Sequence, residues 1–383
     1  MKALHTLLLF AWASLGLTEP SAQITPLAAD VLTAPQAVLG SDGAKHIVYE
    51  VRIENRTDQR FTLNQIDVRD DRGTTLLQLN AQTIATRLSL GGQRGSESNV
   101  LEGYQFGVAF LHVRIPAETP VPKSLVHEVV GYSVRIGSDV SMRIAWTRVN
   151  SSEPTVLAAP LRGVGYVAGD GCCDSIRHVR ALLSLDGRFY LAQRFAIDWE
   201  KIDDTGRIFT GDPKEVKNYW IYDQPVFAVA DGEVVAARND LKDQTPGALP
   251  PNLPLDEADG NFAIIKLRDR VYALYAHLAP ESVTVSTGDR VNRGQQIGRV
   301  GNSGNTQAPH LHFQLMDRPD ALAANGVPYT FERYEVTAVD LAGTEDFDRA
   351  ELTGTPLTLT RENPPIQGRQ SLPLDLTIVT WGR

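Results

Sequence analysis

From residue 45 to residue 149 the chain is a succession of short runs that alternate apolar with polar side chains or are rich in β-branched residues. A period of two is the signature of a strand with one buried face. The runs are "KHIVYEVRIEN" (45–55), "RFTLNQIDVRD" (60–70), "GVAFLHVRIP" (107–116), "LVHEVVGYSVRI" (125–136) and "SMRIAWTRV" (141–149). Turn signals such as "DDRGT" and "LGGQRGSES" separate them. The spacing predicts an antiparallel, immunoglobulin-like β-sandwich over residues 30–150. His46, His112 and His127 alternate with apolar residues there and read as surface or core side chains rather than ligands.

After the linker-like "NSSEPTVLAAPLRG" the strands continue in a context richer in Gly and Asp. "QPVFAVADGEVVAARND" reads as strand, D-G turn, strand, and "NFAIIKLRDRVYALYAHL" as another pair. The segment from Asp240 to Asp259 lacks periodicity and reads as a long surface loop, a class that includes lids and binding loops. The expected fold class is mainly β: the sandwich, then an antiparallel β domain over residues 160–335, then a β-rich tail over 336–383 that packs back on one of the two. A chain of 383 residues with 42% hydrophobic content can fill two modest cores.

Residues 1–22 carry a Lys, an apolar run from Leu7 to Leu17, and the small pair Ser21 and Ala22, the anatomy of a secretory signal peptide. Export to the periplasm or the extracellular space is therefore expected. No later stretch approaches the apolar length of a membrane span, so none is expected after signal removal. A net charge of -9 with scattered basic residues argues against a nucleic-acid partner. The two cysteines are neighbours, Cys172 and Cys173. Adjacent Cα atoms lie about 3.8 Å apart, below the usual disulfide range, so an ordinary structural disulfide is not expected. A redox-sensitive ring, thiolate metal ligands and two small buried side chains remain open.

Chemistry concentrates in four places. His310 and His312 in "PHLHF" are two apart and share one face of a strand, an arrangement suited to metal binding or acid/base work. His277 ends the apolar strand "LYAHL", where nothing structural demands a basic ring. Asp198 follows the apolar "FAI", a costly setting for an unpaired anion. The Gly- and Asn-rich "GRVGNSGNTQ" precedes the His pair and could hold a substrate main chain or close a hairpin.

The blocks "PVFAVADGEVV", "LYAHL" and "GDRVNRGQQIGRVGNSGNTQAPHLHFQLM", within about residues 190–318, resemble the lysostaphin-type zinc metallopeptidases, most of which cut peptide cross-links in bacterial peptidoglycan. The resemblance implies an antiparallel β metallopeptidase domain, one zinc ion, and a peptidoglycan or peptide substrate. It makes Asp198 and His312 zinc ligands, and His277 and His310 the histidines that activate water and stabilise the oxyanion. Tyr275 and Asn302 are expected as substrate contacts from their positions.

The departure is Arg194, which stands where the family's HxxxD pair has its histidine and cannot coordinate zinc. A substitute is available in "HVRALLSLDGRFYLAQRFAID" if it is a hairpin with a three-residue loop. Ser184 then pairs with Arg188, and His178 lies opposite Arg194 as the replacement ligand; a two-residue loop would turn it to the other face. Cys172, Cys173 and Asp174 are also within reach in sequence. With a third ligand the chain is expected to be a metalloendopeptidase; without one, a wall-binding protein or a regulator of wall hydrolases. A third reading, an adhesion or structural protein, would make these residues incidental.

Overall fold

The computed structural model describes residues 24–93 and 95–382, so the expected signal peptide lies outside the described residues. The alternation seen in sequence is realised in the strand Ala44–Asn55. Ile47, Tyr49, Val51 and Ile53 point one way, and His46, Val48 and Glu50 the other, all buried. The first set enters a core shared with Phe61, Leu63, Ile66 and Val68 and with Leu111 and Val129. Two antiparallel sheets of five strands each enclose that core. His127 sits inside it, donating from Nδ1 to the Ala145 carbonyl and accepting at Nε2 from the Tyr49 hydroxyl. Burial holds its pKa down at about 4, which makes it a neutral core side chain.

The second set of side chains faces the rest of the protein. Val48 joins a core with Leu157, Tyr166, Phe195 and Leu372, and Val108 and Phe110 pack on Leu191. One sheet of the sandwich is therefore buried on both faces.

The second core lies under an eleven-stranded sheet. Its central strands are, side by side, Gly163–Gly169, Ile197–Lys201, Leu311–Met316, Val271–Leu278 and Asn261–Arg268, all antiparallel. Beyond Gly163–Gly169 come Thr377–Trp381 and Tyr329–Asp340, with Leu359–Ser371 also paired to the latter. The boundary expected between residues 335 and 336 thus falls inside a strand, and the tail is part of the sheet. Trp199, Phe313, Tyr329, Phe331 and Trp381 form edge-to-face and tilted pairs beneath it, each worth about 0.5–1.5 kcal/mol beyond area burial.

The stretch between Asp240 and Asp259 contains one short 3-10 turn, Leu255–Glu257, and is pinned to the turn ahead of His310. Asp243 accepts from the Asn302 amide and the Tyr222 hydroxyl, and Gly247 donates to the Gln307 carbonyl. Cys172 and Cys173 are bonded to each other, which is the ring among the three readings left open. The peptide between them is cis, and the Cα atoms lie 3.0 Å apart rather than at the trans separation.

Candidate metal centre

Strand register assembles the site. Asp198 lies directly opposite His312, and His312 directly opposite Ala276, so three adjacent strands present neighbouring side chains to one face. His310 and His312 share that face, while Leu311 and Phe313 enter the core below. His277 reaches the site from an irregularity. The pairing of Asn261–Arg268 with Val271–Leu278 shifts register between Asn261 and Ala263, and His277 adopts a left-handed φ of 59°. A bulge of this kind re-aims one side chain, and its strain is typical of functional sites.

Arg194 takes no part in this cluster. It sits in a turn before the Ile197–Lys201 strand, 3% exposed, with Nε 2.8 Å and Nη2 2.6 Å from the two carboxylate oxygens of Glu50. His178 stands by Asp198 in its stead, with Nε2 3.3 Å from Asp198 Oδ2. The route differs from the one expected. Leu185 pairs with Arg188, so the hairpin closes on the two-residue loop Asp186-Gly187, both residues at positive φ as a type I′ turn requires. Its strands end at Leu183 and Tyr190, and His178 comes from a separate turn that no hairpin register governs.

The other nitrogen of each imidazole is committed. His178 Nδ1 donates to the Asp170 carbonyl at 2.9 Å, His277 Nδ1 to the Ser303 carbonyl at 2.8 Å and His310 Nδ1 to the Ala308 carbonyl at 2.8 Å. His312 Nε2 donates to Gln314 Oε1 at 2.9 Å. A carbonyl oxygen only accepts, so each of these nitrogens carries a ring hydrogen, and in the neutral ring the opposite nitrogen offers a lone pair. His312 Nδ1 turns its lone pair on Asp198 Oδ1 at 2.7 Å, and His310 Nε2 lies 3.5 Å from the same oxygen. Ligand atoms of His178, Asp198 and His312 fall within 4.8 Å of one another, as do those of His277, His310 and His312.

Acceptors that face one another require a proton or a cation between them. The electrostatics of the cluster agree. Burial opposes charge on His178, but Asp198 and Asp170 outweigh it and push the ring up to about 9. Burial likewise opposes charge on Asp198, and His178, His310 and His312 overcome it and hold the carboxyl well below its usual range. His277 is driven well below the ordinary imidazole value by burial and by its two histidine neighbours. Glu200, two residues from Asp198, is pushed well above the carboxylate range by burial and by Glu351, which leaves Asp198 as the anion of the site. The donor set, two imidazoles and a carboxylate with outer nitrogens fixed by acceptors, fits a zinc ion.

Two expectations are corrected. Tyr275 is fully buried with its hydroxyl accepting from the Val229 amide, and it packs on Phe313, so it faces the core and not a substrate. Asn302 is also fully buried; its side chain donates to the Gln244 carbonyl and accepts from Thr306, bracing the turn. Gln314 was missed in sequence, although it continues the period-two face of His310 and His312. Ser303, whose carbonyl sets the His277 tautomer, left no local signal.

Comparison with known proteins bears on the same segment. The profile of peptidase family M23 matches residues 220–325, which include His277, His310 and His312, while His178, Arg194 and Asp198 lie upstream. Peptidoglycan DD-endopeptidase ShyA of Vibrio cholerae is 35% identical over 94 residues, which are 24% of this chain and 18% of that protein. Lipoprotein NlpD of Yersinia enterocolitica is 33% identical over 92 residues, 24% of this chain and 76% of that one. The catalytic domain of the antimicrobial peptidase lysostaphin from Staphylococcus simulans is 22% identical at a TM-score of 0.23, with 42% of this chain and 86% of that one covered. The profile match, which falls on the strands that carry three of the four clustered histidines, together with the likeness to NlpD over 76% of its length, shows that the chain belongs to peptidase family M23.

Proposed function

We propose that this chain is an exported zinc-dependent endopeptidase that hydrolyses peptide cross-links of bacterial peptidoglycan. His178, Asp198 and His312 would hold one zinc ion. The observation that carries the reading is the convergence of imidazole lone pairs on Asp198, every outer ring nitrogen being tied to an oxygen acceptor. The likeness to a protein named a peptidoglycan endopeptidase supports the substrate class.

Zinc bound there supplies Lewis-acid chemistry, polarising a carbonyl oxygen and lowering the pKa of water. The remaining work falls to His277 and His310, whose ring centroids are 4.7 Å apart. His277, kept unprotonated by burial, is suited to accept the proton of the attacking water. His310, whose Nδ1 donates to the Ala308 carbonyl, would steady the developing oxyanion and hand a proton to the leaving amine once it has gained one.

A second reading, a wall-binding protein or hydrolase regulator, is favoured by one observation. His178, His277, His310 and His312 are only 3–9% exposed. The test is incubation of the zinc-loaded chain with purified peptidoglycan, followed by mass spectrometry of released peptides and counting of new amino termini. Release that disappears in His310→Ala supports the peptidase. Cosedimentation with peptidoglycan and no new amino termini supports the second reading.

A further inference from the structure

A second cluster lies where the sandwich meets the sheet domain. His46 and His112, from paired strands of the sandwich, face each other with Nδ1 of the first 2.8 Å from Nε2 of the second. Each ring is held at its far nitrogen by a carboxylate: His46 Nε2 is 3.0 Å from Asp42 Oδ1, and His112 Nδ1 is 2.8 Å from Asp174 Oδ2. Both carboxylates are also paired with arginines, Asp42 with Arg114 at 2.8 Å and Asp174 with Arg87 at 2.6 Å, and so are anions that only accept. The far nitrogens must therefore carry the ring hydrogens. What remains are two lone pairs aimed at each other, a contact that repels unless one proton or one cation lies between them.

A third donor completes the set. Cys173 Sγ falls within 4.8 Å of ligand nitrogens of both rings. Carboxylates on the outer nitrogens of two histidines are the usual support for metal-binding imidazoles. The backbone leaves room for the ring too: a Cβ on Gly40 would lie 2.7 Å from His46 Nε2. The supporting carboxylates Asp42 and Asp174 are 31% and 48% exposed, whereas His46 and Cys173 are buried, so the ligand atoms sit beneath a solvent-facing rim.

We propose that His46, His112 and the thiolate of Cys173 form a second metal site, for a thiophilic divalent ion of the zinc class, that opens when the Cys172–Cys173 disulfide is reduced. An external dithiol supplies two electrons and two protons; the S–S bond breaks, two thiols form, and the dithiol leaves as its own disulfide. The incoming ion displaces the Cys173 thiol proton and the proton shared by the two rings, and both pass to solvent. Two nitrogens and one thiolate suit such an ion, with a fourth position for water or Cys172. The site joins the sandwich to the segment that carries His178, because Asp170, whose carbonyl fixes His178, and Cys173 belong to one short stretch.

Cobalt(II) distinguishes this site from the first, whose donors are nitrogen and oxygen only. The full chain is reduced with dithiothreitol, desalted without oxygen and titrated with cobalt(II), alongside the oxidised chain. The reduced chain is expected to take up one further equivalent and to develop a thiolate-to-cobalt charge-transfer band in the near ultraviolet that the oxidised chain lacks. Cys173→Ser should abolish the band and Cys172→Ser should retain it. Asp174→Asn should weaken the added equivalent by roughly 10–100-fold. A reduced chain without the band, or a band that survives Cys173→Ser, overturns the proposal. So does an undiminished band in His112→Gln, where circular dichroism shows that variant folded; if it does not fold, the two cysteine variants decide.

Discussion

His178 is the residue on which the proposed metal centre turns, and its place was legible in part. That Arg194 cannot ligate follows from guanidinium chemistry, and a histidine upstream was the natural substitute. The route was not legible, because the D-G turn closes with two residues at positive φ and its three-residue strands stop short of both His178 and Arg194. Tyr275 and Asn302 were misread for a related reason. A polar tip close to a motif in sequence says nothing about which face it takes, and here the core and the turn claimed both. Replacing His178 removes one of three ligands to the proposed ion. His178→Ala is expected to lower zinc affinity by more than the roughly 10–100-fold typical of losing an outer-shell partner. Chelator competition and metal content per chain check this, and wild-type zinc content in the variant would move the third ligand elsewhere.

Strands were readable wherever one face is buried, because alternation is a local property. Sheet membership is not local. Tyr329–Asp340 carries no punctuation at residue 336, and its partners Thr377–Trp381 and Leu359–Ser371 lie beyond a helix, Thr344–Thr353. The turn from Gly301 to His310 shows how such distant packing reaches the chemistry. Gly260, at φ 64°, lets the backbone of this turn approach so closely that a Cβ would sit 2.1 Å from the Ser303 carbonyl oxygen. That oxygen holds His277 Nδ1. Gly260→Ala must displace backbone, at a cost of about 1–3 kcal/mol from strain and overpacking. It disturbs the orientation of His277 while leaving His178, Asp198 and His312 in place. Peptide release should therefore fall well before zinc affinity does. Equal losses in both would mean that the turn supports the ligands as well.

The two cores are tied together at the position where a ligand was expected. Arg194 and Glu50 stand 144 residues apart in sequence and form a two-pronged ion pair, 3% and 0% exposed, with Arg194 also donating to the Gly326 carbonyl. No pattern in the chain announces it, since each residue alone reads as an ordinary charge on a strand or turn. Glu50 shares a face with His46 and Val48, so the pair lies in a dry seam between sandwich and sheet. In such a seam the pair itself adds little net stability, because desolvating both ions offsets their attraction, whereas removing one partner strands the other. Glu50→Ala is accordingly expected to destabilise the chain by about 3–5 kcal/mol. The double variant Glu50→Leu with Arg194→Met should recover most of that loss, since apolar groups of similar volume often replace a buried pair at no cost. Urea unfolding of the three proteins measures both terms. If the seam makes the two cores one cooperative unit, the wild type and the double variant unfold in a single transition and Glu50→Ala in two, the sandwich separating from the sheet. A single transition with an unchanged midpoint in Glu50→Ala would show that the apolar contacts of Val48, Val108 and Phe110 hold the seam without the ion pair.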